Sequence, residues 1–190
     1  MNKIILASSS IYRKELLKRL PIKFFSIAPN INEARINDES FEDLARRLSN
    51  EKAESISIKN PSAFVIGSDQ TAEFNNKEVR KPLSIDKAFI QLNELSGQTL
   101  NFYSGVCLKN LQKNISVDEV VKFSVTYKNL SEKQIKSYLE IEDPSNCVGS
   151  VKSEGLGITL LEEIKCNDPS AVIGLPLIKL SQMFEKFGVI

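Results

Sequence analysis

Ala63-Phe64-Val65-Ile66-Gly67-Ser68-Asp69 is the stretch that decides how this chain folds. It opens with four apolar residues, and the β-branched Val65 and Ile66 favour extended backbone. An apolar run without polar alternation reads as a strand buried on both faces, which requires helices above and below it. On this reading the strand ends at Asp69, a carboxylate at the rim where open α/β sheets bind ligands.

Toward the N-terminus, Lys3–Ala7 is a second apolar run of strand type. Ser8, Ser9 and Ser10 follow, then a helix-like stretch with Leu16, Leu17 and Leu20 that Pro21 ends. Any of the three serines can cap it. Lys23–Ala28 reads as a strand and Asn30–Glu39 as a polar loop. Ser40 caps a helix predicted to run to about Ile58, with Leu44, Leu48 and Ala53 on one face.

Toward the C-terminus, Thr71–Phe74 and Glu78–Val79 flank Asn75-Asn76, a hairpin signature. Ser84–Leu95 is helical by pattern and Gly97 stops it. Strands are predicted near Leu100–Leu108 and Val117–Tyr127, the second with Val121, Phe123, Val125 and Tyr127 on one face. Ser131 and Gln134 form a capping box for a helix to about Glu140. Pro144–Gly157 reads as a loop and Leu156–Leu161 as a strand. Pro176 opens a last helix carrying Leu177, Leu180, Met183, Phe184 and Phe187, which Gly188 closes. The expectation is an α/β fold over residues 1–190, a mixed twisted sheet flanked by helices, in two lobes around a cleft.

Composition narrows the chemistry. The chain has 190 residues, 25 Lys+Arg against 24 Asp+Glu, and no histidine. Without His there is no Ser-His-Asp or Cys-His nucleophile system and no His-built zinc site. Acid–base work falls to a carboxylate, Lys, Tyr or Cys, and a metal would be a hard cation held by oxygen. The net charge of +1 argues against a nucleic-acid binder working by bulk charge. Cys107, Cys147 and Cys166 match no paired-cysteine motif and read as reduced, small, buried hydrophobes. The uncharged stretch Ser96–Leu108 contains Ser, Gly, Gln, Thr and Asn and falls short of the ~20 apolar residues a membrane span needs. The apolar run near the N-terminus is too short for a signal peptide, so a cytoplasmic protein is expected.

Four segments can carry chemistry. Ser8-Ser9-Ser10 with Tyr12, Arg13 and Lys14 reads equally as a helix cap and as an anion site. Basic residues in a first helical turn oppose the helix dipole, and an anionic ligand would explain them. Asp69 reads as a general base for water or as a turn residue; partial burial would raise its pKa and suit the first role. Lys52 and Lys81 can neutralise phosphates or can be ordinary surface lysines. Gly149–Gly157 contains three glycines with Ser and Lys, either a ligand-approach loop or a structural turn, and lacks Walker spacing.

In order and spacing, these segments resemble the Maf family of nucleoside triphosphate pyrophosphatases over nearly the whole chain. The family's opening Leu-Ala-Ser-x-Ser-Pro-Arg-Arg-x-x-Leu-Leu stands here as Leu6 to Leu17. Glu33, Arg47-Leu48 with Lys52-Ala53, Ser68-Asp69-Gln70, Lys81-Pro82, Leu95-Ser96-Gly97, Ser104-Gly105, the Gly149–Gly157 loop and Gly174-Leu175-Pro176-Leu177 match further motifs. The resemblance implies hydrolysis of a nucleoside triphosphate to the monophosphate and pyrophosphate by a homodimer, with a divalent cation such as Mg2+ or Mn2+. It casts Asp69 as the base that activates water and Glu33 as a metal or water ligand. Ser8, Arg13, Lys52 and Lys81 become the phosphate clamp.

The departures carry information. Tyr12 replaces the first Arg of the family's pair, Gln70 follows the aspartate where Thr is common, and Glu154 stands for the usual Gln. Together they resemble the subfamily associated with 7-methyl-GTP, which usually has Trp at the position of Tyr12. A cationic 7-methylguanine ring stacks on an aromatic, and its N–H edge suits a carboxylate. The alternatives are a dTTP or UTP pyrophosphatase of the same family, and a non-catalytic nucleotide-binding regulator of cell division.

Overall fold

The computed structural model describes residues 3–36 and 38–190. Asn37, within the predicted loop, therefore lies outside the described residues. The chain forms a seven-stranded mixed sheet flanked by helices, the predicted α/β class. It divides into two compact units: residues through Gln70 with Tyr103–Val121 and Asn167–Ile190, and Thr71–Phe102 with Lys122–Cys166.

In the first unit, β1 (Ile4–Ala7) lies between β2 (Phe24–Ile27) and β3 (Phe64–Phe74), parallel to both. Leu6 stands opposite Ser26 on one side and Ile66 on the other. Side chains alternate between the two faces of the strands. Ile4, Leu6, Phe64 and Ile66 pack with Leu16 and Leu17 of α1 (Ile11–Leu17) and with Leu180 and Phe184 of α6 (Leu177–Lys186). Ile5, Ala7 and Val65 pack with Ala53 and Ile56 of α2 (Phe41–Ser57). Both faces are covered, as the apolar run from Ala63 requires.

Helix α2 begins at Ser40, whose hydroxyl accepts the Asp43 N–H at 3.0 Å. It lies very close on β3. A Cβ at Gly67 would sit 2.0 Å from the Ser49 carbonyl oxygen and 2.7 Å from the Ala53 nitrogen. Gly105, on β5 (Thr99–Asn110), meets the Ala45 carbonyl in the same way, at 2.5 Å. These two positions have no room for a side chain, because helix backbone occupies the space.

The second unit holds the hairpin of β3 with β4 (Lys77–Glu78). Asn75 and Asn76 turn it with φ of 52° and 61°, the left-handed pair of a two-residue turn. α3 (Ile85–Leu95) and α4 (Glu132–Ile141) supply buried Leu92, Leu95, Ile135 and Tyr138. In β6 (Ile115–Tyr127), Phe123, Val125 and Tyr127 face inward as the alternation predicts, and Phe123 stacks on Phe102 at 4.8 Å between ring centres. The capping box at Ser131 and Gln134 is present.

The structure corrects four expectations. β3 does not end at Asp69 but runs to Phe74, because β4 continues its ladder through Glu73 and Phe74. Leu156–Leu160 is a 3-10 turn, and the strand, β7, is Leu161–Lys165. The alternation of Leu156, Ile158 and Leu160 imitates a strand, yet Ile158 is 56% exposed, so the pattern marks no buried face. A short helix, α5 (Pro169–Ile173), went unread; buried Asp168 caps it and also accepts the Ile178 N–H of α6 at 2.8 Å. Of the cysteines, Cys107 alone is buried; Cys147 and Cys166 are half-buried.

Gly67→Ala should force α2 off β3 and lower stability by about 2–3 kcal/mol. A urea melt checks this, and an unchanged midpoint would refute the packing argument.

Candidate active site

Close packing of α2 on β3 brings two opposite charges together. Asp69 shares the α2-facing side of β3 with Val65 and Gly67, two residues apart along the strand. Lys52 extends from α2, and its Nζ lies 2.5 Å from Asp69 Oδ1 and 2.7 Å from Glu33 Oε1. The Lys52 side chain is 7% exposed and that of Asp69 is 11%, whereas Glu33 is largely exposed. One buried ammonium thus serves two carboxylates, one from the sheet and one from the irregular segment around Glu33. A lysine is rarely buried without a partner of this kind.

Arg13 stands beside this cluster. Its Nε donates to the Gly174 carbonyl at 2.8 Å, and the Ser68 hydroxyl donates to the same oxygen at 3.0 Å. Burial lowers the guanidinium pKa from its ordinary value, while the attraction of Asp69 and Glu33 opposes that change. Arginine stays charged under such pressure. Ser10 rather than Ser8 caps α1, accepting the Arg13 N–H at 3.4 Å. Ser8 is buried, and its hydroxyl oxygen accepts the Ser10 N–H at 3.1 Å. Tyr12 is half-buried in the first turn of α1.

Gln70 lies on the opposite side of β3 from Asp69, and its Nε2 donates to the Ala171 carbonyl of α5 at 2.9 Å. It braces β3 against α5. Arg47 braces the loop that carries Glu33. Its Nε and Nη2 donate to the two Glu39 carboxylate oxygens at 2.7 and 2.9 Å, and Nη2 also donates to the Ala34 carbonyl at 3.0 Å. The Arg47 hydrogen bonds hold Glu39 below the usual carboxylate range. Ser68, Gly174 and Arg47 lie within the motif segments, but their bracing bonds run through backbone carbonyls that residue types do not signal.

Two expected site residues belong to the second unit. Lys81 is exposed just beyond β4, and Glu154 is exposed in the glycine loop. That loop is tied from behind. Tyr127 Oη donates to the Gly149 carbonyl at 2.8 Å, the Lys152 N–H donates to Tyr138 Oη at 3.1 Å, and the Gly157 N–H donates to Glu142 at 3.2 Å. Among the cysteines, burial pushes the Cys107 thiol up to about 12, which leaves it inert as a nucleophile.

The class defined by these observations is an α/β protein with a carboxylate pair held against fixed cations beside a tightly packed strand. A family model described as "Maf-like protein" matches residues 3–187, and the chain belongs to the Maf family. Among its relatives, a Colwellia psychrerythraea protein named 7-methyl-GTP pyrophosphatase is 41% identical over 189 residues, covering 100% of this chain and 94% of that one. A Nitrosococcus oceani protein of the same name is 44% identical over 185 residues, covering 97% and 93%. A third so named, from Pseudoalteromonas translucida, is 43% identical over 186 residues, covering 98% and 92%.

The Glu39–Arg47 pair sets a pH dependence. A carboxylate whose pKa is lowered on folding contributes stability above its unfolded pKa of about 4.3 and loses it as pH falls through the folded value. Glu39→Gln should therefore be about 1 kcal/mol less stable than wild type at pH 7. As pH falls through the lowered folded pKa the gap should close. Urea midpoints at neutral pH and across the acid range check this, and a pH-independent gap would refute it.

Proposed function

We propose that this chain hydrolyses 7-methyl-GTP to 7-methyl-GMP and pyrophosphate. The observation that carries the proposal is the Lys52 ammonium shared by Asp69 and Glu33, with Arg13 beside them. The names of the relatives supply the substrate class. Asp69 accepts a proton from water as the water oxygen bonds to the α-phosphorus. The bond between the α-phosphorus and its bridging oxygen breaks, and pyrophosphate leaves. Lys52, Arg13, Ser8 and Lys81 bind the phosphate oxygens. Tyr12 stacks on the cationic methylated ring, and Glu154 accepts from its N–H edge. Gln70 acts as a brace for the strand that carries Asp69.

A divalent cation fits this donor set. Among the described residues there is no group of three or more His, Cys, Asp or Glu placed for a metal ion. Asp69 and Glu33 nevertheless converge on one positive charge, and an oxygen-only pair suits Mg2+ or Mn2+, which keep waters and take phosphate oxygens as further ligands. Arg13 and Lys52 are cancelled in charge by Asp69 and Glu33, so this cluster alone offers no net positive charge to a triphosphate. Bound there, the cation would supply that charge and polarise phosphoryl oxygens.

One nucleotide panel with pyrophosphate detection tests the reading. Wild type should show its highest kcat/KM on 7-methyl-GTP, above GTP, UTP and dTTP, and chelation should abolish turnover. A preference for UTP or dTTP would move the chain to the other branch, and absence of turnover with retained binding would favour a regulator. Asp69→Asn should lose about 10²–10⁴-fold in kcat while still binding nucleotide. Normal turnover by Asp69→Asn would overturn the base assignment. Glu154→Gln should reduce 7-methyl-GTP turnover more than UTP turnover.

The same proposal has the chain working as a homodimer in the cytoplasm, where nucleotide pools lie. No described helix is long and apolar enough to cross a membrane. In the second unit, Ile85, Phe89, Ile90 and Leu139 line a groove of about 480 Å³ edged by Asp86, Lys136 and Glu140. Apolar surface rimmed by both signs of charge can pair with a copy of itself. Light scattering should give a dimer mass at micromolar concentration and a monomer for Ile90→Glu. A wild-type monomer at every concentration would refute dimerisation.

A further inference from the structure

One side chain of the second unit joins the Lys81 segment to the Glu154 loop, and the reaction as described makes no use of it. Gln91, on α3, donates from Nε2 to the Arg80 carbonyl at 3.0 Å. Its Oε1 accepts the Ser150 hydroxyl at 2.7 Å. Arg80 immediately precedes Lys81, and Ser150 lies on the same loop as Glu154. A primary amide offers a donor and an acceptor in one rigid plane, so a single side chain can hold both partners at a fixed separation. No apolar side chain can do this, and a carboxylate would face the Arg80 carbonyl with like partial charge.

The two segments need holding. Ser150 is fully buried with φ of 55°, and Leu83, two residues after Lys81, has φ of 65°. Left-handed backbone is costly for residues with side chains and persists where surrounding bonds enforce it. At Leu83 the enforcing bond is its own N–H to the Ser145 carbonyl, at 2.9 Å. At Ser150 the hydroxyl bond to Gln91 fixes the side chain. Both strained residues flank a position assigned to the nucleotide, and Gln91 sits between them.

We propose that Gln91 is a positioning residue: its amide sets the spacing between Lys81, at the phosphate end of the nucleotide, and Glu154, at the base end. The inference rests on the roles given to Lys81 and Glu154 under the proposed function. It makes the α3 amide and the Ser150 hydroxyl one unit that selects the length and edge of the substrate. Gln91 bonds the segments that carry Lys81 and Glu154, so its effect belongs in substrate binding rather than in the chemical step.

The test compares wild type, Gln91→Leu, Gln91→Glu, Ser150→Ala and the Gln91→Leu/Ser150→Ala pair. Melting temperature, kcat and KM are measured on 7-methyl-GTP and UTP with the metal present. The expected result for Gln91→Leu and Ser150→Ala is a KM for 7-methyl-GTP raised about five- to tenfold, as loss of a buried hydrogen bond implies. Their kcat should stay within about twofold, and the preference for 7-methyl-GTP over UTP should fall. The pair should be no worse than Gln91→Leu alone, since the bond that Ser150→Ala removes is already broken by Gln91→Leu. Gln91→Glu, which keeps the acceptor for Ser150 and loses the donor to Arg80, should fall between wild type and Gln91→Leu. A lower melting temperature with unchanged KM and unchanged preference would mean a merely structural role and overturn the proposal. Should Gln91→Leu fail to fold, Ser150→Ala alone decides by the same readouts. A wild type that turns over 7-methyl-GTP beside unaffected variants overturns the Gln91 role alone. A wild type that does not turn it over overturns the substrate reading, and the Gln91 role with it.

Discussion

The contact between α2 and β3 at Gly67 is the constraint on which the rest of the site depends. A helix backbone lies where a side chain at Gly67 would otherwise be, with the Ser49 carbonyl 2.0 Å from that point. The approach puts Lys52 over the strand two residues further on, at Asp69. Lys52 is then buried, and a buried ammonium without partners would be strongly destabilising. Asp69 supplies one partner from the sheet and Glu33 another from a loop. Packing thus dictates the ion cluster, and the cluster includes Glu33. Arg47, on the same helix, completes the arrangement by holding Glu39 and the Ala34 carbonyl.

Much of this was legible in the chain. The apolar run before Gly67 had to be buried on both faces, and the structure covers it with α2 on one side and with α1 and α6 on the other. The caps at Ser40, Ser84 and Ser131 and the Asn75-Asn76 turn have local chemistry that dictates a boundary. What was not legible is non-local. Nothing in the sequence announces that the apolar run to Asp69 and the hairpin arm Thr71–Phe74 are one continuous strand. The exposed alternation of Leu156 and Ile158 follows a period without a face to bury. Asp168 caps α5 and reaches forward to Ile178, a tie visible only once α6 is in place.

The site shows the same division. Residue types and motif order single out Asp69, Lys52, Glu33 and Arg13, and in the structure Lys52 bridges Asp69 and Glu33 within hydrogen-bond distance while Arg13 feels the charge of both. The supporting atoms are backbone carbonyls, above all that of Gly174, which accepts from both Arg13 and Ser68. A carbonyl carries no sequence signature, so such a partner cannot be read from residue types. Gln70 illustrates the converse. It follows Asp69 directly in sequence, yet strand alternation turns it to the other side of the sheet, where it bonds α5.

The absence of histidine gives these charges their meaning. A histidine base could change its charge near neutral pH without a counterion. A carboxylate in a packed site instead needs a cation beside it to be tolerated. Lys52 meets that need, but the same ammonium is what a phosphate oxygen would seek. On the proposed function, an entering triphosphate would compete with Asp69 and Glu33 for one positive charge. The competition is relieved only if further positive charge arrives with the substrate, so that the carboxylates release the lysine while staying compensated. A cluster of this kind balances its own charges without making the surface basic. The whole-chain charge of +1 is consistent with cations and anions matched in this way.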